Sequence, residues 1–353
     1  MRSSKPKYSL MFSRWRRGVS DLYLLSARAS AQARLKQITN DLIGANEAFG
    51  QKACVYATGS FGRLEAGPES DLDLFIVTET DVKSPERALL NAVDEIKLKS
   101  QLINAAEKND LGKFDGGGRF LTSHTIDSFT KWLGSNEDDF RNTLTGRMLM
   151  LLESKPLIGD AIYRKTIDKV IEQYFRDYPG HEKEFVPSFL FNDIVRMWRT
   201  FCVNYEFNRK IGESREKIKN LKLKFSRMLT CYSGIVYLMA IYAREGRVQP
   251  GDVRAMIAIS PTERLETIAA DDFGIVGDIS AALREAVENA LAGYSEFLEL
   301  THQGTRTAVK IYNADEGMWR EKSYAFGRSL STMIDRLGEV SLKADGLRRL
   351  ILI

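Results

Sequence analysis

At 353 residues, with 44% hydrophobic and 28% charged side chains, the chain is long enough for two domains with substantial cores and is neither fibrous nor disordered. A net charge of +4 suits anionic nucleotides but is too small to call for nucleic acid by itself. The three cysteines, Cys54, Cys202 and Cys231, are far apart and odd in number, so neither a zinc site nor a disulfide framework is expected and a reducing cytoplasm is. No apolar run approaches the roughly 18 residues that span a bilayer, so no membrane partner is expected.

The N-terminus is basic at Arg14, Arg16 and Arg17 and lacks the apolar core of a signal peptide; a solvated arm or a helix start is expected there. Asp21 to Phe49 reads as one long helix with Leu35, Ile38, Leu42 and Phe49 along one side. An α/β core follows, from about Lys52 to Ile126. Its first strand is Ala53-Cys54-Val55-Tyr56-Ala57, and a second apolar run, Leu74-Phe75-Ile76-Val77, makes the next.

Between these strands lie Gly59-Ser60-Phe61-Gly62-Arg63 and Ser70-Asp71-Leu72-Asp73. Side chains alternate along a strand, so Asp71 and Asp73 share one face while Leu72 and Leu74 share the other. Paired carboxylates repel unless a cation joins them, and hard oxygen ligands select Mg²⁺ (or Mn²⁺), which keeps waters and completes its shell with substrate phosphates. Gly59 and Gly62 allow close backbone approach and positive φ. Ser60 stands where a helix can begin, with free N–H groups facing an anion, and Arg63 adds a permanent cation. Gly-Ser turns and Asp-x-Asp pairs are each common by chance. Strand, Gly-Ser turn, Arg, short connection, Ser-Asp-x-Asp and strand, in that order, describe an NTP held on Gly59-Ser60 and presented to metal on Asp71 and Asp73.

This segment resembles the nucleotidyltransferase signature of the DNA polymerase β superfamily. Within it the chain is most similar to the bacterial branch near the PII-protein uridylyltransferase. Leu149 to Leu157, Asn192 to Arg199 and Lys219 to Arg227 resemble the same branch, so the likeness spans about residues 50–240. It implies transfer of a nucleoside monophosphate from an NTP to a hydroxyl or similar acceptor, with two metals. The demodifying domain of that relative begins with a His-Asp pair; here His124, His181 and His302 precede Thr, Glu and Gln, so demodification is not expected.

The superfamily usually supplies a third carboxylate from a later strand. After a helix expected from Pro85 to about Ala106, capped by Ser84 and buried through Leu89, Val93 and Ile96, Arg119 to Ile126 reads as that strand. It contains no Asp or Glu. Asp115 precedes it and Asp127 follows it, and either can be the third carboxylate; His124 is an alternative base, although a lone His is more often packed or solvated.

From Asn142 onward the periodicity is almost wholly helical. On a helix from about Ser188 to Arg209, Leu190, Ile194, Trp198, Phe201 and Tyr205 form an apolar face, with Asn192, Arg196, Arg199 and Glu206 on another side. On a helix from about Arg215 to Ala243, Ile218, Leu221, Phe225, Met228 and Tyr232 are expected to be buried, beside a polar stripe of Arg215, Lys219, Lys222, Ser226 and Thr230. Such stripes are as often simply the wet face. The functional reading turns both toward the metal cleft, with Lys222 and Ser226 on the triphosphate, Arg196 or Arg199 at the leaving pyrophosphate, and Glu206 holding a cation. Later helices, Ile279 to Leu300 and Ser323 to Leu337, read as a bundle with solvated faces.

The expected fold is therefore α+β: a polymerase-β-like nucleotidyltransferase domain with a mixed sheet and flanking helices (1–135), then an all-α domain (136–353). The expected activity is metal-dependent nucleotidyl transfer to a protein or small-molecule acceptor. The alternatives are a non-catalytic NTP sensor and a nucleotide second-messenger synthase. A nucleic-acid acceptor is not expected, since no basic groove interleaved with aromatics is visible.

Overall fold

The computed structural model describes residues 23–81, 84, 87–111, 121–209, 214–270 and 278–352. The expected long first helix is two, α1 (Tyr23–Asp41) and α2 (Ile43–Phe49), parted at Leu42, whose backbone leaves helical geometry. Ile38, Leu42 and Phe49 are buried as the pattern predicts. Strand β1 (Ala53–Ala57), the one-turn helix α3 (Gly59–Gly62) and strand β2 (Leu74–Thr78) follow.

Helix α4 (Ala92–Lys108) departs from expectation. Asn91, not Ser84, caps it, by accepting from the Asp94 amide at 3.0 Å. Its buried side is Leu98, Leu102, Ala105 and Ala106, while Val93 and Ile96 are 59% and 68% exposed. Two apolar stripes are interleaved on this helix, and packing against α1 and α2 selects the second. Full burial of each leucine is worth roughly 1.5–3 kcal/mol.

Strand β3 (Ser123–Thr125), α5 (Ile126–Lys131), α6 (Asn136–Phe140), α7 (Thr143–Leu152) and strand β4 (Lys155–Ile158) complete the sheet region. The sheet is four-stranded, in the order β3-β2-β1-β4. β1 is antiparallel to β2 and β4, and β2 is parallel to β3, so the sheet is mixed. Because β4 pairs with β1, a boundary at 135/136 would leave one edge strand outside the first domain.

Alternation along the strands divides the interior. Ala53, Val55, Ala57, Leu74 and Ile76 face one core with α1, α2 and α4 residues such as Ile38, Phe49, Leu98 and Leu102. Cys54, Tyr56, Phe75 and Val77 face the other, which runs without a break into the helices that follow. These are α8 (Asp160–Tyr174), α9 (Ser188–Asn208), α10 (Ser214–Lys222), a π-helical turn (Leu223–Arg227), α11 (Met228–Glu245), α12 (Pro250–Ala258), α13 (Pro261–Ala269), α14 (Asp278–His302), α15 (Thr305–Ala314), α16 (Glu316–Gly338) and α17 (Leu342–Leu352). Among the described residues, no helix is long and apolar enough to cross a membrane.

Candidate nucleotide site

The site begins where β1 ends. Thr58 continues the β1–β2 ladder, its amide donating to the Asp73 carbonyl at 2.9 Å, and Gly59 then turns into α3 with φ 63°. A Cβ at Gly59 would stand 2.5 Å from Asp73 Oδ2. Glycine is thus required twice, by its dihedral and by the carboxylate against it. The α3 ladder opens with Gly62 N–H donating to Thr58 O at 3.1 Å and Arg63 N–H to Gly59 O at 3.0 Å, so the Ser60 and Phe61 amides precede the first intrahelical bond.

Asp71 and Asp73 are exposed, and Leu72 and Leu74 between and beyond them are buried, as strand alternation predicts. Lys222 comes from the helical half of the chain. It keeps solvent access but stands within electrostatic reach of Asp71, Asp73, Arg63 and Arg227. Partial loss of water lowers its pKa, Asp71 works against that shift, and the neighbouring arginines add to it. A residue both accessible and surrounded by protein charges lies in a cleft. Arg227 is likewise accessible and enters the same cleft, within reach of Glu153, Arg63 and Asp73, with its guanidinium 5.0 Å above the Phe201 ring.

Arg63 does not face this cleft as a free cation. It is 9% exposed, its Nε donates to Glu65 Oε2 at 2.8 Å and its Nη1 to Glu153 Oε2 at 2.7 Å. Burial works against its charge, but Glu153 and Glu65 together hold its pKa well above the ordinary value. The same Glu153 accepts the Gly59 amide on Oε1 at 3.1 Å and the Thr230 hydroxyl on Oε2. Tyr294 donates to Glu65 Oε2 at 2.7 Å. Arg63 is therefore a positioning residue that ties the turn to α7, α11 and α14, and the direct phosphate contact expected of it is corrected accordingly. Glu65, Glu153 and Tyr294 were missed: a single carboxylate outside the motif carries no mark of its partner.

The connection from Arg63 to Asp71 is held from the far end of the chain. His302 Nε2 meets the Glu65 carbonyl at 2.9 Å and its Nδ1 meets the Tyr23 hydroxyl at 3.0 Å. Gly67 lies so close beneath the imidazole that a Cβ would stand 2.5 Å from it. Glu69 accepts the Thr305 amide at 2.9 Å, at the start of α15.

The other expected site residues divide. Ser226 is buried and hydrogen-bonds Tyr294, so it braces the cleft wall. Arg196 joins Asp139 and, at 3.5 Å each, Asp138 and Asp193, beside the buried Arg147–Asp138 pair. That network ties α9 to α6 and α7 and occupies the guanidinium expected at the pyrophosphate. Arg199 is exposed on α9, where its charge is felt by Tyr232. Glu206 pairs with Arg209 at 2.9 Å.

Asp127 lies in the first turn of α5, paired with Lys131 at 2.7 Å. The register Ile76↔Ser123 and Thr78↔Thr125 puts Thr125 five residues beyond Asp73 along the sheet, about 16 Å at the usual rise. Asp127 follows two residues later in α5, past the end of β3 away from the acidic pair. His124 is packed between Phe75 and Phe129 with its pKa pushed down to about 4 by burial, a core imidazole rather than a base at this site. Asp115 lies outside the described residues.

A mixed four-stranded sheet, a glycine turn after its first central strand and an acidic pair entering the second together define a nucleotidyltransferase domain, followed by a mostly helical region. Residues 40–115 match the family model of the nucleotidyltransferase domain, which covers the turn and both aspartates. No curated protein matches the chain, and no solved structure does.

Proposed function

We propose that the protein moves a nucleoside monophosphate from an NTP to a protein or small-molecule acceptor and releases pyrophosphate. The observation that carries this reading is the meeting of exposed Asp71 and Asp73 with Gly59 on one side and Lys222 on the other. Two adjacent carboxylates that keep solvent access suit a hard divalent ion, and Asp71 and Asp73 would hold Mg²⁺ or Mn²⁺. Bound there, the ion supplies neutralisation of the phosphates and alignment of the acceptor.

The chain's own residues supply position and charge. The Ser60 and Phe61 amides and the Ser60 hydroxyl receive phosphate oxygens at the turn. Lys222 meets the β- and γ-phosphates and favours their departure as pyrophosphate. The acceptor oxygen bonds to the α-phosphorus, the bond from that phosphorus to the bridging oxygen breaks, pyrophosphate takes the electron pair, and the acceptor's proton passes to water. Catalysis of this kind is mostly positioning and electrostatics. A protein acceptor is favoured by the resemblance to the uridylyltransferase branch, which is an analogy of motif and not of site chemistry.

Incubation with each α-³²P-labelled NTP, Mg²⁺ or Mn²⁺ and cell extract tests the proposal. Label on protein or on a small molecule supports it and names the acceptor class. NTP binding without label transfer would overturn it in favour of a non-catalytic sensor. The register that removes Asp127 from the acidic pair is the observation favouring that second reading.

A further inference from the structure

Lys222 and Arg227 are five residues apart, Lys222 immediately before the π-helical turn Leu223–Arg227 and Arg227 its last residue. On an α-helix, five residues advance the chain to a point about 140° round the axis, so the two cations would diverge. A π-turn closes its bonds from i to i+5, and widening the coil in this way returns the fifth residue to nearly the same side. The two side chains accordingly share neighbours: Arg63 and Asp73 lie within reach of both, and Lys222 is also within reach of Asp71 and of Arg227 itself. Lys224, inside the same turn, goes elsewhere, its ammonium 4.5 Å from the Tyr324 ring centre.

Two cations held together repel unless an anion joins them, just as two carboxylates do unless a metal joins them. The cleft thus presents a negative pair, Asp71 and Asp73, against a positive pair, Lys222 and Arg227. Phe201 lies under the Arg227 guanidinium at 5.0 Å and is itself buried, which restricts the arginine before any ligand arrives. A polyphosphate carrying a divalent ion matches both pairs at once.

We infer that Arg227 is a second phosphate-binding residue of this cleft, brought beside Lys222 by the π-turn, so that the two together clamp the polyphosphate tail of the nucleotide. The inference rests on the NTP reading of the site. It assigns a role to a residue that α-helical spacing had hidden, because counting at 100° per residue groups Lys222 with Ser226 and leaves Arg227 out.

Titration calorimetry with Mg²⁺-tripolyphosphate, each Mg²⁺-NTP and the matching NMP tests it without requiring turnover. Arg227→Gln should weaken tripolyphosphate and NTP roughly tenfold, the size of one charge-assisted hydrogen bond, and leave NMP affinity nearly unchanged. Arg227→Lys should restore much of the loss. In the wild-type protein, tripolyphosphate should protect Arg227 from phenylglyoxal, read by peptide mapping, so the test does not depend on how a variant folds. Wild-type affinities in a folded Arg227→Gln protein whose Lys222→Ala counterpart is weakened would overturn the role of Arg227 and leave the NTP reading standing, as would unprotected modification under saturating tripolyphosphate. A wild-type protein that binds neither tripolyphosphate nor any NTP would remove the NTP reading, and this proposal with it.

Discussion

Glu153 accepts the Gly59 amide at 3.1 Å, so a carboxylate at the end of α7 fixes the first residue of the glycine turn. Its other oxygen takes Arg63 at 2.7 Å. Truncating Glu153 would leave a buried guanidinium with Glu65 as its carboxylate partner and free the turn together. Glu153→Ala should cost about 3–5 kcal/mol in urea unfolding, the range for breaking a buried pair. Thr230→Val, which removes only one hydroxyl donor from Glu153, should cost about 1–2 kcal/mol. Equal losses would mean that Glu153 does not anchor the turn.

Asp71→Asn and Asp73→Asn should each abolish metal-dependent label transfer while the unfolding midpoint stays near that of the wild type, since both side chains are exposed. Full activity in either variant would end the metal assignment.

Gly59→Ala and Gly246→Ala separate strain from clash. Both glycines have similar positive φ, 63° and 68°, but a Cβ meets Asp73 Oδ2 at 2.5 Å in the first and nothing within 4 Å in the second. Each variant should lose about 1 kcal/mol of stability from the dihedral. Only Gly59→Ala should also lose metal-dependent transfer, because it displaces the carboxylate. Equal transfer rates in the two variants would count against the contact.

Lys222→Ala should weaken NTP binding roughly ten- to a hundredfold and NMP binding little, as expected for a contact to the outer phosphates worth about 1.5–3 kcal/mol. Lys224→Ala is the control, since that side chain lies over Tyr324. Comparable losses at the two positions would reduce the effect to general electrostatics.

His124 gives a pH signature. Its folded pKa of about 4 lies below the ordinary 6.5, so the unfolded chain binds the extra proton first. Stability tied to the neutral imidazole is complete above about pH 6.5 and is lost as pH falls toward about 4, by up to about 3 kcal/mol. His124→Phe should flatten that part of the pH–stability curve. A curve as steep as the wild type's would place the proton uptake elsewhere.

The sheet and the acidic pair were legible because their signals are local. Alternation predicts which residues of the run into β2 are covered, and exposed Asp71 and Asp73 beside buried Leu72 and Leu74 follow it. Less could be read wherever the outcome depends on what comes from far along the chain. Arg63 looked like a ligand contact because Glu153, 90 residues on, is invisible from the motif. Val93 and Ile96 looked buried because α4 carries two apolar stripes, and only the packing of α1 and α2 chooses between them. Arg227 fell out of the site because a π-turn has no signature in hydrophobic period. Asp127 was a candidate because it follows a strand beside β2, and the register sets that strand's end five residues along the sheet from Asp73.

The short connection between the glycine turn and Asp71 is gripped by Tyr294, His302 and Thr305, all from the last quarter of the chain. The segment that matches the nucleotidyltransferase domain is therefore not a portable cassette. Excising the segment around the family match would expose Arg63 and Glu65 with half their partners gone, and the loop bearing Asp71 would lose its tether. Chimeras that aim to redirect acceptor choice should exchange whole chains' worth of the helical region or keep α14 and the start of α15 native. For the same reason, changes at Tyr294, His302 or Thr305 act on the connection that leads to Asp71.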